Sequence, residues 1–326
     1  MAWETLKQSL LEEVASLIDR RADKAHRGDL HRLATIFLGR FAAEDLRERS
    51  PADVYGMLYG LRRFLDEWSD ETAKIRLVNP SIASHGWESS ATVIAVLCRD
   101  MPFCTASVRG ELNQRGLGIH CLASCNLSVA RSEEGSLESL HPTSAAEEGT
   151  SAESLLYFEI TRHSDLTELD GLQRSLEEIL RDVHAVVSDF PAMRGQLDVA
   201  KSAIADSAAL DKGFRDEAIQ FVAWLRTDHM TFLGYEYLEV SDGAVHVVPE
   251  RSLGVLRNRD TRGAEDLTMD LAATSHDELL RRQLSYGKSR TRARVHRQAY
   301  PDYVEIKVYD ADGVVVGQHR FLGHYT

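Results

Sequence analysis

Cys98, Cys104, Cys121 and Cys125 are the residue types in this chain best suited to metal or thiol chemistry. Cys121 and Cys125 fall in a strand-like run, where four residues span about 13 Å. Two thiolates on one tetrahedral metal must each come within about 2.3 Å of it. That pair therefore fails as half of a zinc site, and the four cysteines are expected as small buried apolar side chains. Cys104 has a second reading, because it lies near an expected helix N-terminus, where a thiol is acidified. His26, His31, His141 and His163 share no ligand spacing, so no metal is expected. Asp228-His229 could move a proton but has neither a nucleophile nor a third partner in reach of the pattern. It is expected to cap a helix and fill a turn. Gly116-Leu117-Gly118 supplies part of a dinucleotide signature, yet it follows a helix and precedes a strand, the reverse of the order a pyrophosphate site needs. Gly116 is expected instead to end the helix in the left-handed conformation, with Gly118 allowing close backbone approach.

Two stretches keep a binding role. Asp100-Met101-Pro102-Phe103 connects an apolar strand to a helix expected to open at Met101-Pro102, and free N–H groups at a helix start hold an anion. A zwitterionic ligand would place its ammonium on Asp100 and its carboxylate on those amides. Arg290, Arg292 and Arg294 alternate with His296 in a strand-like run, inside a basic cluster with Arg281, Arg282, Lys288 and Arg297. They are candidates for an anion or partner contact. His85-Gly86-Trp87 reads as a loop anchored by a buried Trp87.

The elements that position these residues follow from periodicity. Leu6, Leu10, Val14, Leu17 and Ile18 recur at helical spacing, and Ser50-Pro51 marks a capped helix start carrying Leu58, Leu61, Phe64 and Leu65. From Lys74 the pattern turns to short β-rich runs, Ile75 to Val78 and Thr92 to Cys98. Leu117, Ile119, Cys121, Ala123, Cys125, Leu127 and Val129 occupy every second position of a strand with one buried face. Residues 131–153, small and acidic, are expected as a mobile connection. Leu156, Phe158 and Ile160 resume the strand pattern, and Leu169 to Val183 form an amphipathic helix. The order is most of a βαββαβ unit, with its last strand supplied by the run near residue 75. Such a unit leaves one sheet face free. The fold class is α+β: a helical N-terminal segment (1–73), an ACT-like ferredoxin-like βαββαβ domain (74–190), a helical connector (191–226), and a second ACT-like or related α/β domain (227–326). That last domain includes a helix near Asp277 to Leu284 and a hairpin at Asp310-Ala311-Asp312-Gly313.

The 326 residues carry a formal charge of −13, with 43% hydrophobic and 27% charged side chains. This balance fits a soluble globular chain and speaks against general nucleic-acid binding. No apolar run approaches the roughly 20 residues of a membrane span, and no apolar signal core opens the chain, so a cytoplasmic location is expected.

The ordering of strand, Asp100-x-Pro102, helix and Arg115-Gly116-Leu117-x-Ile119 strand is similar to ACT domains, ferredoxin-like modules that commonly bind amino acids at this loop. Most of them place a glycine directly after that proline, where this chain has Phe103. Asn79-Pro80, His85-Gly86-Trp87, Asp100-Met101-Pro102-Phe103, Ser107-Val108, Glu111-Leu112 and Arg115 to His120 resemble the N-terminal region of the large bacterial NAD-dependent glutamate dehydrogenases. Trp224-Leu225, Asp228-His229, Thr231 to Tyr235, Val295-His296-Arg297, Asp302-Tyr303 and Arg320 to Gly323 continue the resemblance, over roughly residues 74–326. The chain departs from that family at Ala106, usually acidic, and at His324-Tyr325.

The resemblance implies a regulatory or oligomerisation region ahead of a dehydrogenase core that converts L-glutamate, with NAD, to 2-oxoglutarate and ammonia. Its partners would be the catalytic region of the same polypeptide, further copies of the chain, and an amino-acid effector. Ending on apolar sequence, the chain is expected to be a fragment. Its seven lysines include none in a glycine-rich catalytic setting, so no catalytic or cofactor-binding residue is expected here. Two alternatives are a stand-alone amino-acid sensor and a nucleic-acid module using residues 281–297.

Overall fold

A computed structural model describes residues 2–69, 72–145, 148–207, 210–241, 244–257 and 284–326. The chain divides into two compact units, Met1–Arg181 and Asp182–Thr326.

The first unit opens with helices α1 (Ala2–Arg21), α2 (Arg27–Leu38), α3 (Ala43–Leu46) and α4 (Pro51–Phe64). The Ser50 hydroxyl accepts from the Asp53 amide and Pro51 takes the first helical position, as expected. Then follow β1 (Lys74–Val78), the single turn α5 (Ile82–His85), β2 (Thr92–Arg99), α6 (Cys104–Gln114), β3 (Ile119–Arg131), β4 (Leu137–Pro142) and β5 (Ser151–Ile160). These strands form one sheet in the order β1-β2-β5-β3-β4, every neighbour antiparallel. The first four places reproduce the strand arrangement of a βαββαβ unit. Its closing strand is replaced by β1, which precedes the unit in the chain, as the sequence suggests.

Two expectations change. Residues 131–153 are not a free connection: β3 runs on to Arg131, β4 occupies 137–142, and β5 begins at Ser151. Leu137 and Leu140 are buried, and two apolar side chains at that spacing fix a strand that the acidic composition conceals. Nor is the helical segment separate from the sheet. Val14, Ile18, Leu30, Leu33, Phe37, Met57, Leu58 and Leu61 share one core with Val93, Ala95, Leu97, Cys121, Ala123, Cys125, Leu127 and Tyr157. Phe37 meets Tyr157 edge to face at 5.6 Å between ring centres. Alternation turns Ile94, Val96, Leu156, Phe158 and Ile160 to the opposite face, and these are buried as well. Both faces of the sheet are therefore covered within the chain.

Helix α7 (Leu166–Asp206) runs through Pro191 from the first unit into the second. The expected connector is thus the end of α7 plus α8 (Lys212–Trp224), and it belongs to the second core: Met193, Leu197, Ala200, Ile204, Ala218 and Val222 pack with Phe232, Tyr235, Val304, Ile306 and Phe321. The second sheet has the order β7-β6-β10-β9-β8, all antiparallel. Its strands are β6 (Met230–Ser241), β7 (Ala244–Gly254), β8 (Leu284–Lys288), β9 (Asp302–Tyr309) and β10 (Val315–Tyr325). β6 pairs directly with β7, and β8, β9 and β10 form a meander, so this sheet does not follow the βαββαβ order of an ACT-like unit. The hairpin at Asp310–Gly313 is present, closed by the Asp310 amide on the Val314 carbonyl at 2.9 Å. The expected helix near Asp277 falls almost wholly outside the described residues.

Candidate functional site

The loop from β2 to α6 is built from the residues the sequence singles out, but the helix begins later than expected. α6 starts at Cys104, with Pro102 in the preceding turn. Phe103 adopts φ 75°, ψ −14°, a left-handed conformation that no helix can contain. This is the position where the resembling domains carry glycine, and the backbone angle gives the physical reason. No side chain caps α6.

Asp100 is exposed yet fixed. Its amide donates to the Ala152 carbonyl at 2.9 Å. Its Oδ2 accepts from Asn126 Nδ2 at 2.9 Å. The Ser154 hydroxyl lies 3.1 Å from both Asp100 Oδ1 and Asn126 Oδ1. Strands β3 and β5 thus hold a carboxylate just ahead of an uncapped helix start. A carboxylate with lone pairs to spare accepts from an ammonium, and free amides at a helix start donate to a carboxylate.

Beneath this loop the Cys98 thiol, on β2, donates to the Ser154 carbonyl at 3.9 Å. Its interaction with Cys104, the first residue of α6, holds the Cys104 thiol below its ordinary range against the opposing effect of burial. Cys98 is pushed far up by Cys104 and by burial. Burial also pushes Cys121 and Cys125 up to about 12. All four cysteines are free and buried, and no metal-binding cluster occurs among the described residues.

Gly116 has φ 70°. The Leu117 amide reaches the Leu112 carbonyl at 2.9 Å and the Gly116 amide the Asn113 carbonyl at 3.0 Å. These two bonds form the left-handed helix ending, so Gly116 terminates α6 as expected. Val108 and Leu112 are fully buried. Glu111 accepts from Arg115 at 2.7 Å and from Ser175 of α7 at 2.6 Å, so the motif residues around 107–112 secure the helix.

The basic stretch departs from expectation. Residues 289–300 form bends, not a strand. Ala293 and Val295 are buried while Arg290 and Arg292 are exposed and Arg294 is half-buried, so the arginines present no flat strand face. The Arg292 guanidinium lies 5.3 Å from the centre of the Tyr300 ring, and Arg297 donates to the Tyr325 carbonyl at 2.8 Å. Arg281 and Arg282 lie outside the described residues. Asp228-His229 forms a turn: Asp228 has φ 63°, and the His229 ring stacks on Trp224 at 4.4 Å, with Nδ1 3.0 Å from the Trp224 carbonyl oxygen.

Sequence patterns do not reveal the buried charges that hold both sheets. Arg49 forks onto Glu159 with two bonds of 2.8 Å, and the Tyr157 hydroxyl donates to Glu159 at 2.6 Å. Arg131 forks onto Glu153 at 2.7 and 2.8 Å. In the second unit Arg320 bonds Glu305 at 2.8 Å and Glu236 at 2.7 Å. The available signal was a carboxylate on an otherwise apolar strand face, as at Glu153 and Glu159. Beside Arg49 opens a cleft of about 760 Å³ whose walls include Glu44, Asp45, Glu48, Asp53, Glu88 and Glu159 against only Arg49 and Arg162. Such a wall repels an anionic ligand. No helix among the described residues is long and apolar enough to cross a membrane.

Residues 33–176 match the family described as "Glutamate dehydrogenase, ACT1 domain". The chain is 36% identical over its whole length to the NAD-specific glutamate dehydrogenase of Halomonas elongata, covering 21% of that protein. It is 35% identical over 90% of its length to that of Pseudomonas aeruginosa, covering 18% of it, and 28% identical over 68% to that of Mycobacterium tuberculosis, covering 13%. Among solved structures, an RNA-binding light-oxygen-voltage receptor aligns at a TM-score of 0.18 and 9% identity, covering 86% of this chain and 85% of its own, which is no likeness of fold. The chain spans about a fifth of the length of the first two relatives. Residues 33–176 are thus similar to a glutamate dehydrogenase ACT1 domain, and the chain as a whole is similar to a segment of the NAD-specific glutamate dehydrogenases.

Proposed function

We propose that this chain is the regulatory region of a cytoplasmic NAD-dependent glutamate dehydrogenase and senses an amino-acid effector at the β2–α6 loop. The parent reaction would be oxidative deamination of L-glutamate to 2-oxoglutarate and ammonia with NAD, carried out by a catalytic region elsewhere in the polypeptide. The observation that supports sensing is the Asp100 carboxylate, held by Asn126 and Ser154 ahead of the uncapped start of α6. Ammonium and carboxylate of one zwitterion would meet complementary groups already in position, which lowers the ordering cost of binding. An effector that prefers one state of the parent enzyme would shift its population by that preference.

Assembly into a homo-oligomer is the second part of this reading, and the covered sheet restricts it. With α1–α4 on one face and the other face buried, copies would meet through the outer edge of β1 or β4, where one row of backbone groups lies beyond the sheet's own pairing. The nucleic-acid alternative loses the shared strand face it required of Arg290, Arg292 and Arg294.

The test is a thermal-shift scan of the 326-residue chain against the twenty amino acids, NAD and common nucleotides. A rise of several degrees with one amino acid, absent in Asp100→Ala, is the expected result. A flat response to every amino acid sinks the sensing role and leaves assembly, which sedimentation then measures.

A further inference from the structure

Arg62 and Arg320, buried, and Arg49 and Arg131, half-buried, each reach one or two carboxylates at 2.7–2.9 Å. Arg76, half-buried in the middle of β1, does not. Among the described residues no carboxylate forms an ion pair with it. Its Nη1 donates to the Gly60 carbonyl of α4 at 3.1 Å, and its guanidinium lies 4.9 Å from the centre of the Phe64 ring. Its Nε is buried with no hydrogen-bond partner. Arg63, exposed on α4, is likewise without an ion-pair partner among the described residues. Burial, and then the charge of Arg63, make Arg76 less basic than an ordinary arginine. Two guanidinium groups that repel one another, one of them partly desolvated, are an arrangement a lone fold does not favour. An anion placed between them would resolve it.

There is space for one. Arg63 and Arg76 line a pocket of about 340 Å³. The remaining walls include Tyr59, Ser84, His85 and Trp87, so hydroxyl, imidazole and indole groups able to donate are present, and no carboxylate lines it. His85 Nδ1 accepts from the Ser81 amide at 3.3 Å, which leaves the Nε2 hydrogen as a donor. Trp87 is held firmly, because α4 presents Gly56 to it: a Cβ there would lie 2.6 Å from the Trp87 Cβ. The His85-Gly86-Trp87 turn, otherwise without a role, becomes a wall of this pocket.

We propose that Arg63, Arg76 and the His85-Gly86-Trp87 turn form a binding pocket for a small dianion, either a dicarboxylate or a phosphate monoester. The guanidinium fork pairs with the planar or tetrahedral oxygens of either group, and two forks favour two negative charges. The site is separate from the β2–α6 loop and does not depend on the parent reaction.

The test is isothermal titration of the 326-residue chain at low ionic strength with succinate and with inorganic phosphate, and with acetate as the single-charge control. At least one dianion binds one-to-one and more tightly than acetate, and its affinity falls at least tenfold in Arg63→Ala and in Arg76→Met. Binding of succinate alone assigns a dicarboxylate; binding of phosphate alone assigns a phosphate monoester. Arg63 is exposed, so its variant carries the test if Arg76→Met does not fold. Asp100→Ala leaves this binding unchanged, which separates it from the amino-acid response. Absence of heat with both dianions, or affinity unchanged in the arginine variants, overturns the proposal. So does a lower melting temperature in Arg76→Met with anion binding intact, since Arg76 is then only a packing residue.

Discussion

At the scale of single residues, Phe103 holds a backbone angle that costs an L side chain roughly 1–2 kcal/mol. Comparison of Phe103→Gly with Phe103→Ala isolates that cost, since both remove the ring and differ in the Cβ. The glycine variant should be more stable by about 1 kcal/mol in urea unfolding, the reverse of the usual order for these residues. Equal stability would show that the left-handed conformation is not kept. Arg320 lies between Glu236 and Glu305 in the second sheet. Arg320→Met leaves two buried carboxylates without their shared counter-charge, and should destabilise the second unit by about 3–5 kcal/mol. His319 gives a pH prediction. Burial, and then the nearby Arg251, hold its pKa down to about 4, and its Nδ1 lies 2.8 Å from the Tyr235 hydroxyl, which donates to the neutral ring. An unfolded histidine titrates near 6.5, so the unfolded state binds more protons between these values. The contribution of His319 is therefore complete above about pH 6.5 and lost as the pH falls toward 4, at up to about 1.4 kcal/mol per unit. His319→Gln should flatten the slope of stability against pH in that window. An unchanged slope would mean the ring is not buried in its neutral form.

At the scale of elements, α4 shows how packing overrides propensity. Alanine normally improves a helix position held by glycine by about 1 kcal/mol. Gly56→Ala should instead destabilise by about 1–3 kcal/mol, because the new methyl meets the buried Trp87, and a thermal melt reads the sign directly. Period-two and period-3.6 patterns placed β2, β3, β5, α4 and the end of α6 well, since each has an apolar face of regular spacing. They missed β4, where Leu137 and Leu140 sit in acidic surroundings. They also suggested a strand at 290–296, where alternating arginines imitate a strand face but bends carry the chain. The loop at Asp100 was legible, because a strand end, a proline and a helix start make a local signal. The Arg63–Arg76 pocket was not. Its residues come from α4, β1 and the turn after α5, and only the register of β1 on β2 turns Arg76 toward α4.

At the scale of the whole first unit, the decisive feature is that α1–α4 cover the sheet face that a βαββαβ module leaves open. Removing them should expose Val93, Ala95, Leu97, Cys121, Ala123, Cys125 and Leu127 together, a contiguous apolar surface of the kind that drives association. Arg49, the partner of the buried Glu159, would be lost as well, leaving a carboxylate desolvated and unpaired. A chain beginning at Lys74, the boundary that sequence composition suggests, is therefore expected to aggregate or bind the dye ANS strongly. The 326-residue chain should give one defined species by sedimentation. If the shortened chain instead forms a discrete dimer with native-like near-ultraviolet dichroism, the exposed sheet faces have paired with each other. The N-terminal helices would then be competitors for a subunit contact, and regulation could act by their release. Aggregation without a defined species makes them an integral layer of the ACT1 unit, in keeping with a family match that begins at residue 33, inside α2.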